Sequence, residues 1–434
     1  MKQRTRVPRL DQYMNSRTKF VVVLSSSCLV ALLLFGGVVS KGAPADEGAS
    51  SDNVYKHLAV YSEVLSRIKS EYVEEPDMSS VTLGALNGLL ESIDPYASYL
   101  NAEQYKDYLK NFDTYKGDLG MVLAKKYGYI TVVSVIPGSP AAKAGLTTGD
   151  MLESIKGIAT RDMPLAYASL LLKGQPGSTV DLSVLRRKPE PQKLTMTRAV
   201  ITAPSVESKL LPDGIGYIRI ASMGYGRVKE VSAAVTDLQK QGAKKLILDL
   251  RFSATGSPED GVELANLFLD KGLITYSLGQ KSPRKNFEAD PKKDVTALPL
   301  VVLTNRGTAG AAEVAAAALQ SDKRASLVGE HTYGDASVLN AIKMDDGSAI
   351  ILSVAKYYSP DGKSIQDNGV TPETLVADAD ALGNDADDDD SEPTAPNPGI
   401  TGAPKTGAAV AGGGPAGTDD QILKKAIEVV NQKG

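Results

Sequence analysis

Cysteine is almost missing from this chain. Cys28 stands alone among 434 residues, which excludes an intrachain disulfide and any cysteine-rich metal site. Histidine is nearly as scarce: His57 falls in a helical pattern and His331 in a polar loop, far apart in sequence. A Ser-His-Asp triad would have to recruit one of these two, which argues against that mechanism. Tryptophan is absent, so Phe and Tyr supply every aromatic ring. Excess positive charge is absent too. With a formal net charge of −4 and no basic stripe in the globular part, nucleic acid is not an expected partner, and no cofactor is called for.

Hydrophobic residues make up 42% of the chain and charged residues 23%, ordinary for a globular protein, and the length predicts about two to three domains. One apolar run is long. Lys2, Arg4, Arg6, Arg9, Arg17 and Lys19, a basic tail over 1–19, precede the uncharged segment 20–40, FVVVLSSSCLVALLLFGGVVS. That length crosses a bilayer core, with the basic flank left on the cytoplasmic side. A cleavable signal is the alternative, since Ala43-Pro44-Ala45 has the form of a cleavage site. Either reading places the body outside the cytoplasm, in the cell envelope on the periplasmic side, or secreted if the signal is cleaved. At the other end, residues 376–418 turn acidic and then rich in Ala, Gly and Pro, a composition that reads as a disordered linker. An amphipathic helix, 419–434, closes the chain, with Asp419 and Asp420 suited to its N-terminus.

After a polar linker over 41–53, apolar spacing predicts helices at 54–73 and 80–93, an N-terminal helical cap within 54–112. Residues 113–200 alternate short strand-like runs with turns, and carry helices at 139–145 and 164–174. The order YKGDLGMVL … VIPGSPAAKAGLTTGDMLESIKG resembles a PDZ domain of the circularly permuted kind found in bacterial proteases. By that resemblance Gly117, Asp118, Leu119 and Gly120 form a carboxylate-binding loop. An extended peptide would add to a sheet edge while consecutive amides hold its terminal carboxylate. The plainer reading is a turn between strands. From 201 to 375 the pattern lengthens into alternating strands and helices, which implies a layered α/β core with part of its sheet parallel. The expected fold class is multidomain α/β (α+β): a helical cap, a PDZ-like β-rich module and a layered α/β core.

Within that core, 304-TNRGTAGAAEVAAAALQ-320 follows a short apolar strand and opens a helix. Strand, glycine turn and helix N-terminus is where α/β enzymes often seat a nucleophile, because the first free amides of the helix can hold an oxyanion. Yet Thr308, Ala309, Gly310, Ala311 and Ala312 include no serine or cysteine.

DPYASYL, LILDLR, VVLTNRGTAGAAEVAAAALQ, SLVGEHTYGDASV and AKYYSPDGKSIQDNGVTPE, in that order, resemble the carboxyl-terminal processing peptidases, or tail-specific proteases. The resemblance runs over about residues 55–375. It implies the fold of a cell-envelope serine endopeptidase that reads C-terminal tails, with a serine nucleophile, a lysine base and a glutamine steadying the lysine. The family pattern N-x-G-S-A-S-A-S-E, anchored on Asn305, Gly307 and Glu313, puts Gly310 at the nucleophile. F-G-K-G-[ST]-V-Q, read over 333–339, puts Asp335 at the lysine and Leu339 at the glutamine. D-L-R-N-N-P-G-G corresponds to 249–256, leaving Gly256 with Ala311 as the oxyanion-region residues and Thr255 in place of one glycine.

These changes touch every chemical role. Glycine has nothing with which to attack a carbonyl, and loss of a triad nucleophile typically costs about 10⁶-fold in turnover. Aspartate puts an anion where a neutral amine should accept a proton, and leucine makes no orienting hydrogen bond. The sequence therefore looks like a catalytically degenerate member of its family. It would bind protein C-terminal tails or unstructured polypeptides, or modulate an active relative by co-assembly, with a homo-oligomer also possible in principle. Two alternatives stand beside it: an endopeptidase with a relocated nucleophile, Thr308 or Ser337, helped by a His331–Asp335 pair, and a structural scaffold. In plainer readings Thr308 caps the following helix and Ser337 is a strand or turn residue.

Overall fold

A computed structural model describes residues 47–377 and 420–433, apart from 113, 127, 162, 187–189 and 225. The segment 20–40, with Cys28, and most of the acidic linker lie outside the described residues. Among the described residues no helix is long and apolar enough to cross a membrane.

Two compact units divide at Val81/Thr82. In the first lies α1 (Glu47–Glu71), and α2 (Met78–Glu91) begins there. Asp77 starts α2 by accepting from Ser79 N at 3.0 Å and from Ser80 Oγ at 2.6 Å.

In the second unit, β1 (Ser98–Leu100) leads into α3 (Ala102–Asn111), a helix not separated in the sequence pattern. Asn101 and Gln104 make reciprocal bonds across its first turn, a capping box of unusual composition. The β-rich module follows. A two-residue β2 (Gly117–Asp118) pairs with β9 (Ala199–Val200). Beside them stands an antiparallel sheet in the order β3 (Met121–Lys126), β4 (Tyr129–Val135), β5 (Met151–Ile155), β7 (Thr179–Leu185) and β8 (Gln192–Thr197), with β6 (Ile158–Ala159) on β5. Alternate residues such as Ile130, Val132, Leu152, Val180 and Leu182 turn inward against α4 (Pro140–Lys143) and α5 (Leu165–Leu172).

The α/β core is built on a six-stranded sheet. β10 (Glu207–Leu211) is antiparallel to β11 (Ile215–Arg219), which runs parallel to β12 (Lys245–Asp249), and β15 (Leu300–Thr304), β16 (Ala325–Gly329) and β19 (Thr374–Leu375) continue the parallel set. β15 is buried along its whole length, as a parallel strand covered on both faces should be. One face carries α6 (Arg227–Lys240), α7 (Pro258–Asn266) and α8 (Ala311–Ser321). Across the other lies α9 (Gln421–Gln432), whose Ile422, Ala426 and Val430 pack on Tyr217, Ile247, Val301 and Val328. Asp420 caps α9, accepting from Leu423 N at 2.9 Å, and grips Arg251 through both oxygens at 2.9 and 2.8 Å. Asp419 lies outside the described residues.

A second, antiparallel sheet holds β1, β18 (Ala349–Tyr358), β13 (Leu273–Leu278) and β14 (Lys285–Glu288), with β17 (Ser337–Lys343) on β18. Helix α7 starts at Pro258, four residues before the apolar run that announces it, because Ser257 and Asp260 form a capping box.

Candidate active site

The turn after β15 is held by side chains that its own sequence supplies. Asn305 Oδ1 accepts from Gly307 N at 3.1 Å and from Phe252 N at 3.0 Å, which ties this turn to the one after β12. Thr308 is fully buried; its Oγ1 donates to Leu250 O at 2.9 Å and accepts from Asn305 N at 3.0 Å. Both capacities of the hydroxyl are therefore spent on the backbone. Thr308 does not cap α8, and its oxygen faces no open space; it staples the turn. Ala309 N donates to Ser253 O at 3.0 Å, closing the two turns together.

Gly310 follows at φ 61°, ψ −120°, a conformation open to glycine and held only under constraint by residues with side chains. A Cβ placed there would meet only Asp335 O within 4 Å, at 3.6 Å, an ordinary contact. The backbone of Asp335 thus lies beside position 310, with room for a Cβ between them. Leu339, by contrast, lies along β17 with 48% of its surface exposed. Ser337 Oγ accepts from Ser353 Oγ at 3.0 Å in the β17–β18 pairing, as a strand residue would. His331 is exposed and its Nδ1 lies 2.7 Å from Thr332 O, so a His331–Asp335 base pair does not form.

Glu313 organises the site, and the sequence marked it only as an alignment anchor. It is fully buried at the third position of α8. Its Oε2 accepts from Gly310 N at 3.0 Å and Asp335 N at 2.8 Å, and its Oε1 from Gly334 N at 2.6 Å and Thr332 Oγ1 at 2.5 Å. Burial pushes the carboxyl up to about 7 against the pull of those hydrogen bonds. The signal was visible: one charge in the apolar run 309–319. Asp335 stands beside it, raised to about 6 by burial and then by the charges of Asp94 and Asp367. Burial and the Asp335 charge push the Tyr333 phenol up to about 12, and Tyr96 is raised by the same causes. Where the family pattern has a lysine, these surroundings hold carboxyl and phenol groups, and Asp367, one of the charges acting on Asp335, is paired with Lys356 at 2.6 Å.

On the oxyanion side, Gly256 has φ 100°, and a Cβ there would come within 2.8 Å of Met223 Cβ and 3.0 Å of Gly224 N, so only glycine fits. Ala311 opens α8, where its amide has no intrahelical acceptor. The β-rich module roofs this region. Ala254, Ala309 and Tyr333 join the same apolar cluster as Leu119, Ile130 and Val132, and Ser134 Oγ donates to Phe252 O at 2.5 Å.

In the predicted carboxylate loop, Gly120 has φ 78°, and a Cβ would fall 2.3 Å from Ser139 Cβ. The amides of Leu119 and Gly120 are not free. Asp118 Oδ1 accepts from both, at 2.6 and 3.1 Å.

Residues 131–186 match the PDZ domain and residues 214–376 match peptidase family S41. The carboxy-terminal processing protease CtpA of Bacillus subtilis is 33% identical over 355 residues, spanning 82% of this chain and 76% of that protein. The chain belongs to the carboxy-terminal processing proteases. Its Bartonella bacilliformis relative, a carboxy-terminal-processing protease, is 32% identical over 333 residues, covering 75% of this chain and 76% of its own. Among solved structures, the photosystem II D1 C-terminal processing protease superposes with a TM-score of 0.60 at 26% identity, over 74% of this chain and 92% of the other. The layered core, the PDZ module over it and the α/β fold class are those of a processing protease.

Proposed function

We propose that this chain is a processing protease that has given up its reaction and works by binding polypeptide through its PDZ module, either holding unstructured chains and protein tails or modulating an active relative. The observation that carries the reading is the turn at Gly310. The backbone at 310 leaves room for a Cβ yet carries no side chain, and the neighbouring Asp335 and Glu313 are carboxyls, which cannot become cationic as a lysine base must. Reading 310, 335 and 339 as the nucleophile, base and orienting positions, all three functions are absent together. Neither substitute nucleophile is favoured, since Thr308 is spent on the backbone and Ser337 sits in the β17–β18 pairing, where it accepts from Ser353.

The body is proposed to lie on the outer side of a membrane, held or delivered by segment 20–40. For the binding role, an unstructured polypeptide labelled at its C-terminus is offered to the purified protein. Retention with recovery of intact probe supports the reading. Recovery of fragments whose release is lost in Thr308→Ala or Ser337→Ala would sink it, and absence of retention would favour a scaffold.

A further inference from the structure

The PDZ groove has the parts needed for strand addition. β3 is an end strand of its sheet, with no strand on its second edge among the described residues, and α5 runs alongside it. At the head of β3 sits the loop 117–120, where a terminal carboxylate would be received by the amides of Leu119 and Gly120. Asp118 already occupies both with one carboxylate oxygen.

A second observation concerns the charge behind the loop. Arg198 is buried, and its guanidinium donates to neutral acceptors: Leu172 O at 2.6 Å, Thr179 O at 2.7 Å, Leu171 O at 2.9 Å and Ser178 Oγ at 3.0 Å. Among the described residues it has no ion pair; burial lowers its pKa, and the charge of Asp118, brought near by the Asp118–Ala199 strand pairing, pulls against that shift. Asp118 therefore occupies the paired amides that a ligand carboxylate would use, and its charge already acts on the nearby buried cation. A free C-terminus entering the loop meets a like charge in a half-buried site, which is unfavourable. An extended segment passing through, or ending in a neutral group, meets no such repulsion and can still pair with β3.

We propose that Asp118 sets the ligand preference of the PDZ groove, standing in for a terminal carboxylate so that the module takes extended segments lacking a free carboxylate in preference to free C-terminal tails. This rests on the reading that the groove binds polypeptide. The test is fluorescence anisotropy with a pool of labelled ten-residue peptides ending in apolar residues, prepared once as free acids and once as amides. Wild-type protein should bind the amide pool at least about tenfold more tightly. Asp118→Gly frees both amides and should tighten the acid pool about 10- to 100-fold, as expected for hydrogen bonds to a charged group, with the amide pool little changed. Asp118→Asn keeps an acceptor but loses the charge, so its preference should lie between. Thermal melts confirm that each variant is folded, and Asp118→Asn carries the test alone where the glycine variant does not fold. A wild-type preference for acids, or an acid-to-amide ratio unmoved in folded variants, overturns the role of Asp118 while leaving polypeptide binding intact. No binding of either pool to wild type and variants overturns the underlying reading and this inference with it.

Discussion

Removing Glu313 tests what holds the turn at Gly310 in shape. In Glu313→Ala, four donors lose their acceptor at once: the amides of Gly310, Gly334 and Asp335 and the Thr332 hydroxyl. Each buried donor left unpaired costs about 1–3 kcal/mol. The losses are coupled through one side chain and the loop can relax, so we expect about 4–5 kcal/mol in total rather than the full sum. Glu313→Gln keeps one acceptor oxygen but turns an NH₂ group toward amide donors, and should cost about 2 kcal/mol. The pH dependence follows from the raised carboxyl. Folded Glu313 holds its proton up to about 7 against an ordinary 4.5, so the native state binds that proton more tightly than the unfolded state. Its contribution is complete below the ordinary value and is lost as pH rises through 7, by at most roughly 3 kcal/mol. Asp335, raised to about 6, acts in the same direction. Urea unfolding followed by circular dichroism between pH 4.5 and 8 measures both effects, and Glu313→Gln should flatten the slope. An alanine variant within about 1 kcal/mol of wild type, or stability that rises across that range through Glu313, would refute the reasoning.

Gly310→Ser should fold, with about 1–2 kcal/mol lost to the unfavourable backbone angles, because the added Cβ meets only Asp335 O at 3.6 Å; it should not hydrolyse peptides. Adding Asp335→Lys should yield cleavage of an unstructured polypeptide that neither single variant shows, read by gel and mass spectrometry. Asp420→Asn weakens both the α9 cap and the two-pronged contact with Arg251, and should lower stability by about 3 kcal/mol and speed proteolytic release of the C-terminal helix. Gly120→Ala should unfold or distort the PDZ module, seen as a lost thermal transition, since the new Cβ would collide with Ser139 Cβ at 2.3 Å.

Strand and helix periodicity made the parallel core legible, because β12 and β15 are short apolar runs between helical segments, and the short motif helix behind Ser139 was equally plain. The second sheet was not. β17 is largely exposed and its apolar residues fall in pairs, Val338-Leu339 and Ala341-Ile342, while β14 carries Lys285, Asn286 and Glu288, so neither shows the alternation that reveals a half-buried strand. At the candidate site, the sequence pointed to 310 and 335, which the fold brings together, whereas Leu339 stays at the surface of β17. It could not show that Thr308 faces Leu250 O or that Asp118 fills its own loop, because both depend on where one side chain turns once the backbone is set. Glu313 was legible as an isolated charge in an apolar helix, but its four partners come from a loop about twenty residues away and from the turn before it.

The turn at Gly310 is proposed to have lost its reaction. A time course of intact mass, with the purified protein incubated at equimolar ratio with an unstructured, C-terminally tagged polypeptide, tests it most directly. The polypeptide is expected to keep its full mass as long as it does in buffer alone. Shortened products that vanish when Thr308 or Ser337 is replaced by alanine, in preparations free of other proteases, would contradict it.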